Sequence, residues 1–194
     1  MNTCIIKFSF SLLVILHVFL SLLLLFFNHA STAELTFNIV TLRAKPNEKT
    51  DALPVLQTTW AKACDSSKPA IIYVPEDIFF VRSARFNGPC KNNAITVLID
   101  GTLVASSDIQ VLAESSSWIL FNHINGLSIT GGLIDGQGTT LWNYKHSGKS
   151  CSMGDSPNSD GIHVQQSSDV TILNSNIKNG DDWSPSVQRH LTCG

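Results

Sequence analysis

The chain has 194 residues, with 13 basic against 15 acidic side chains and a formal net charge of −2. It carries no basic patch or stripe of the kind a nucleic-acid binder shows, so no nucleic-acid partner is expected. Once the N-terminus is set aside, one domain's worth of chain remains.

Lys7 precedes an apolar run from Phe8 to Phe27, and small residues follow at Ser31 and Ala33. This pattern predicts a secretory signal peptide over residues 1–33, cleaved after Ala33. The run is also long enough to span a bilayer, so a retained anchor is the competing reading. His17, the serines within the run and the small-residue site directly after it favour cleavage. Residues 34–194 then form a single mature domain. Four of its residues are cysteines, Cys64, Cys90, Cys151 and Cys193, and four cysteines in an oxidising compartment allow three pairings. No C-x-x-C or His-rich spacing suggests a metal site, and neither a metal nor a cofactor is expected.

"TDALPVLQTTWAKAC" predicts a helix from Thr50 to Cys64. Thr50 or Asp51 can cap it, and Pro54 in the first turn loses no hydrogen bond. Val55, Leu56, Trp60, Ala63 and Cys64 fall on one stripe, which reads as a lid over apolar structure. Short strands follow: "AIIYVP", "ITVLIDGTLVA", "WILF", "GLSITGGLIDGQG", "GIHVQ" and "DVTILNSNI". Their β-branched residues alternate with polar ones, and Gly, Asn and Asp punctuate them.

A repeat test separates a sandwich from a solenoid. Leu127, Ile129 and Ile134 match Val170, Ile172 and Ile177 at a constant offset of 43 residues. Two periods of about 21.5 would give that offset, and Asp160 to Asp181 spans a similar interval. The expectation is an all-β parallel solenoid with coils in the low twenties. Residues one coil apart stack about 4.8 Å from each other. Asp160 and the pair Asp181–Asp182 would then gather on one face and perturb each other's proton affinities.

At these residues a specific resemblance appears. "GDSPNSDGIHV" (Gly154 to Val164) and "NGDD" (Asn179 to Asp182) resemble the signature of the polygalacturonases, glycoside hydrolase family 28. "FNGPC", "ITVLIDGTLVA" and "ITGGLIDGQGTTLW" are similar to the plant-type members, and the likeness covers most of Phe37 to Asp182. It implies a right-handed parallel β-helix with an N-terminal capping helix. It also implies hydrolysis of α-1,4-galacturonosyl linkages in pectin with inversion. Inversion needs an acid and a base about 6.5–9.5 Å apart, with room for water between them. By motif, Asp181 resembles the proton donor, and Asp160 and Asp182 resemble the carboxylates that activate water. Asn158 resembles a turn-shaping, substrate-binding residue. The implied partner is pectin or polygalacturonate, the implied location the extracellular cell wall, and the implied state a monomer.

The resemblance also implies a Cys64–Cys90 disulfide. A helix ending at Cys64 over the mouth of a solenoid, with "GPC" bringing Cys90 to the same end, supports that pair. Pairing of Cys151 and Cys193 stays open.

Departures from the family pattern are equally specific. The family's Gly-His-Gly and Arg-x-Lys motifs, which support the site and bind the substrate carboxylate, are expected beyond "NGDD". The sequence ends at Gly194 without them, after "WSPSVQRHLTCG", which shows no strand pattern. His190 has no Gly-His-Gly context. "NYKHSGKSCSM" stands where the family has further strand-bearing coils. The chain thus reads as a family member shortened within and cut at its end, impaired as written, with no cation evident for the substrate. The alternative function is an inactive secreted β-helix protein that binds pectin or a wall protein. A polysaccharide lyase would need a basic proton abstractor, and the acid motifs count against it.

Overall fold

The computed structural model describes residues 12–22, 33–108, 117–138, 161–178 and 189–191. Contacts divide the chain into two units, Met1–Ala33 and Glu34–Gly194. In the first, residues 12–22 form helix α1, whose apolar side chains are exposed. Among the described residues no helix is long and apolar enough to cross a membrane.

The second unit is a parallel β-helix. Strand β1 (Leu35–Asn38) and helix α2 (Leu53–Asp65) precede the first coil. Coil 1 contains β2 (Ala70–Val74), β3 (Ile78–Phe80) and β4 (Ala84–Asn87). Coil 2 contains β5 (Ile95–Ile99), β6 (Thr102–Val104) and β7 (Ile119–Asn122). Coil 3 contains β8 (Asn125–Thr130), β9 (Leu133–Asp135) and β10 (Ile162–Gln165). Coil 4 contributes β11 (Ser168–Leu173) and β12 (Asn176–Lys178). Sheet A runs β1-β2-β5-β8-β11-β13, sheet B runs β3-β6-β9-β12, and sheet C runs β4-β7-β10. All these pairs are parallel except the last of sheet A, where β13 (Arg189–Leu191) lies antiparallel on β11.

Alternation in the sequence decides which side chains enter the core. Ile72, Val97, Ile129 and Ile172 are register partners from coil to coil and are all buried. Ala70, Ile95, Leu127 and Val170 form a second buried column of sheet A. Sheet B sends Phe79, Leu103 and Ile134 inward, and sheet C sends Ala84 with Ile119 and Phe86 with Phe121. Like residues stacked one rung apart bury each other's apolar surface, at about 25 cal/mol per Å² removed from water. Polar side chains stack at the corners in the same way. Asn122 Nδ2 donates to Asn87 Oδ1 at 3.3 Å, and Ser168 Oγ donates to Asn125 Oδ1 at 2.9 Å. Gly126 (φ +76°) passes so close to the previous coil that a Cβ would lie 1.8 Å from the Asn93 carbonyl oxygen. No side chain fits there.

The expected coil length is corrected. Leu127, Ile129 and Ile134 pair directly with Val170, Ile172 and Ile177, so the 43-residue offset is one coil, not two. The other two coils measured along sheet A take 25 and 32 residues. Growth occurs chiefly where sheet B hands over to sheet C. That corner takes residues 81–83 in coil 1, 105–118 in coil 2 and 136–161 in coil 3. "NYKHSGKSCSM" therefore lies within one corner of one coil, between β9 and β10, and its own structure falls outside the described residues. The strandless tail is corrected too, because β13 within it pairs with β11.

Helix α2 starts later than expected. Its N-cap is Ala52, which offers no side-chain acceptor. Asp51 supplies one from a position upstream: its Oδ1 accepts from Leu53 N at 2.9 Å and from Arg82 N at 3.2 Å. This joins the helix start to coil 1. Leu56, Thr59, Trp60 and Ala63 are buried, and the Trp60 ring lies 5.2 Å from Phe86 and 5.7 Å from Phe121. Trp60 Nε1 donates to the Asn87 carbonyl at 3.1 Å. The stripe thus closes the N-terminal mouth of the lumen with an aromatic cluster.

Cys64 and Cys90 are disulfide-bonded. Beside them Asn92 Nδ2 donates to the carbonyls of Ala63 and Ser66 at 2.8 and 3.0 Å, satisfying the helix C-terminus. The Lys91–Asp65 ion pair nearby is largely exposed and adds little.

Two outcomes are expected from this architecture. Direct stacking means that Leu127→Ala and Val170→Ala couple in a double-mutant cycle by roughly 0.5–3 kcal/mol in urea unfolding. Additivity of the two would restore a two-coil separation. Cys64→Ser with Cys90→Ser is expected to cost roughly 3–4 kcal/mol in the chain-entropy account. A non-reducing peptide map joining Cys64 to Cys151 instead would overturn the bond.

Candidate active site

Asn158, Asp160, Asp181 and Asp182 lie outside the described residues. What the structure describes is the frame from which both acid motifs spring. Gly161, directly after Asp160, leads into β10 of sheet C. Lys178, three residues before Asp181, closes β12 of sheet B. These belong to consecutive coils, and they meet at the same B–C corner. Gly161 is buried against Ile177 of the next coil: a Cβ on it would lie 2.8 Å from Ile177 Cγ2. Asp135 and Lys178 are register partners, and Gly136 N donates to the Lys178 carbonyl at 2.7 Å.

Backbone hydrogen bonds join successive coils at the two ends of this corner. Val81 N donates to the Val104 carbonyl at 2.9 Å, and Ala105 N to that of Asp135 at 2.9 Å. Ala84 N donates to the Trp118 carbonyl at 2.7 Å, and Trp118 Nε1, buried, donates to the Val81 carbonyl at 2.9 Å. Each coil thus hangs from the next at both sides of the turn. Ser83 Oγ adds a bond to the Ser117 carbonyl at 3.3 Å. Loops carried by such a scaffold are where binding and catalytic groups concentrate, and two long segments between strands, 105–118 and 136–161, both leave this corner.

Beside the corner, the outer face of sheet C displays two columns. Arg85, Leu120 and His163 are register partners, as are Asn87, Asn122 and Gln165. Arg85, His163 and Gln165 are exposed, whereas Leu120 is only 7% exposed although it points outward. Asn122 Oδ1 is buried without a hydrogen-bond partner among the described residues. On coil 1 the corner itself carries Arg82, also exposed. Lys178 is exposed at the end of β12, next to the half-buried Asp135. Arg82, Arg85 and Lys178 are thus exposed cations around this corner. They went unseen in the sequence because "SARFNG" is short and charged. Only its Ala84/Phe86 alternation marks a strand with Arg85 outward.

A second acidic row lines the opposite, A–B corner, with Glu76, Asp77 and Asp100. There the Tyr73 hydroxyl donates to Asp100 Oδ2 at 2.6 Å. That hydrogen bond, with the Asp100 and Glu76 charges, raises the phenol's pKa above its ordinary value. Neither acid motif springs from that corner. Among the described residues no group of three or more His, Cys, Asp or Glu side chains has a metal-holding arrangement.

Comparison with known proteins agrees with this frame. The profile of "Glycosyl hydrolases family 28" matches residues 64–154 and 147–187. The two matched segments overlap inside the long corner of coil 3, between β9 and β10. A "Polygalacturonase" of Prunus persica is 43% identical over 211 residues, covering 84% of this chain and 54% of that protein. An "Exopolygalacturonase" of Zea mays is 31% identical over 196 residues, covering 76% and 48%. A "Polygalacturonase" of Medicago sativa is 30% identical over 191 residues, covering 71% and 45%. The chain spans about half the length of the curated relatives it matches. With coils stacked from 70 to 178 and a profile match across 64–187, the chain belongs to glycosyl hydrolases family 28.

Proposed function

We propose that the protein is a polygalacturonase-type glycosidase that cleaves α-1,4-galacturonosyl linkages of pectin with inversion. One observation carries the reading beyond family membership. Gly161 and Ile177, each within four residues of an acid motif, touch across consecutive coils at one corner. That contact supports the gathering of Asp160 with Asp181 and Asp182 at the B–C corner.

The chemistry follows from such a gathering. A glycosidic oxygen leaves poorly until protonated, and water attacks poorly until a base takes its proton. Asp181 holds the proton for the leaving oxygen. Asp160 and Asp182 hold and activate the water on the opposite face of the sugar. Like charges nearby favour the protonated form of one carboxyl, which suits the acid role. Asn158 shapes the turn before Asp160 and contacts the sugar. Release of residues 1–33 as a signal peptide, a cell-wall location and a monomeric state belong to the same proposal.

Reducing ends released from polygalacturonate by the chain extended with its relatives' downstream coils test the reading, and the chain as given is expected to release few or none. Asp181→Asn keeps the shape of the side chain and removes the proton, so turnover is expected to fall by about 10²–10⁴-fold with polymer binding unchanged. Equal turnover in variant and parent would remove Asp181 from the acid role. An extended parent that binds the polymer but releases no ends would make the protein a binding module.

A further inference from the structure

We propose that Arg85, assisted by Arg82, forms a distal carboxylate-recognition site on coil 1 that holds a pectic chain running along the outside of the solenoid. The inference rests on the polygalacturonate reading and extends it to residues that no catalytic motif contains.

The geometry comes from the register. Arg85 shares a column with Leu120 and His163 on the outer face of sheet C, and His163 lies three residues from Asp160. Neighbouring strands of a sheet lie about 4.8 Å apart, so Arg85 stands roughly 10 Å along the axis from His163, two rungs away. Arg82 takes the corner position on the same coil. It lies two residues before the inward Ala84, as Asp160 lies two residues before Ile162, and Ala84, Ile119 and Ile162 are register partners. By register, Arg82 on coil 1 thus takes the position that Asp160 takes in the sequence before β10.

The chemistry fits a uronate polymer. Both side chains are exposed, and among the described residues neither guanidinium makes a hydrogen bond or an ion pair. Arg82 is partly offset by Asp51, whose Oδ1 accepts its backbone N–H. Among the described residues Arg85 makes no ion pair, with Leu120 its register partner and Asn87 two residues on. A planar guanidinium takes a carboxylate through two parallel hydrogen bonds. Asn87, also exposed, offers an amide for a sugar hydroxyl. A polymer with a carboxylate on each sugar presents what such a pair lacks, and one with its carboxyls esterified does not.

Binding is measured by affinity electrophoresis of the intact chain in gels containing polygalacturonate, with fully methyl-esterified polymer as the neutral probe. Galacturonate dimer and hexamer serve as competitors. Arg85→Gln is expected to weaken binding of polygalacturonate and hexamer about tenfold, with Arg82→Gln weaker in effect. Arg85→Lys is expected to recover only part of the binding, because the charge stays but the two-pronged geometry is lost. The dimer, too short to join coil 1 to the acids, is expected to compete equally against parent and variant. Neither variant should change retardation by the esterified polymer. Unchanged binding of polygalacturonate by Arg85→Gln overturns this site and leaves the Asp181 reading standing. An equal loss for dimer and hexamer overturns its distal placement. A parent that does not bind polygalacturonate overturns this proposal together with the substrate reading beneath it.

Discussion

The structure depends on one constraint, the parallel register of the inward aliphatic columns. Side chains on a strand alternate faces with period two, so a slip of one residue would expel a whole column from the lumen. Ile72, Val97, Ile129 and Ile172 hold their places because each is buried by the rung on either side. No coil has a core of its own. Each buries its apolar face only through its neighbours, which makes stability a property of adjacent rungs. The N-terminal rung lacks a neighbour across the lumen, and α2 takes that role with Leu56 and Trp60. The aromatic contact with Phe86 and Phe121 and the bond from Cys64 to Cys90 tie the lid to coils 1 and 2.

The same register organises the outside. A row of corner positions repeats at the rung spacing, so residues far apart in sequence stand in line along the axis. Arg82 and Arg85 stand on coil 1 of this row, and the acid motifs flank the strands of its last coils in sequence.

Much of this was legible before any coordinates. The β-branched alternations of β5, β8 and β11 are visible as written, and the amphipathic stripe of α2 with Pro54 in its first turn announces a helix. The three-residue strand β3 and the four-residue β4 were not. In "IFF" and "ARFN" aromatic and charged residues obscure the pattern, and so short a run carries little periodic signal. Coil length failed for a different reason. An offset of 43 divides neatly into two if coils are assumed equal, but sheets constrain only the strands, and corners are free to lengthen. The acid motif was readable through its family resemblance. The arginines were not, since their placement follows from the outward face of β4 and from nothing in their immediate sequence.

The lengthened corners carry a further consequence. Segments 105–118 and 136–161 begin and end on strands whose backbones are clamped to neighbouring coils, through Ala105 to Asp135 and through Trp118 to Ala84. Because the clamps sit outside the variable stretch, residues can be added or removed between them without shifting any inward column. The corner is register-neutral. An ordinary β-sandwich lacks such a seam, since its hairpin turns help to set the pairing of the strands they join. Here the fold offers a graft point at the very edge where the chemistry is proposed. New loops could be exchanged at that edge while every rung of the lumen stays as it is.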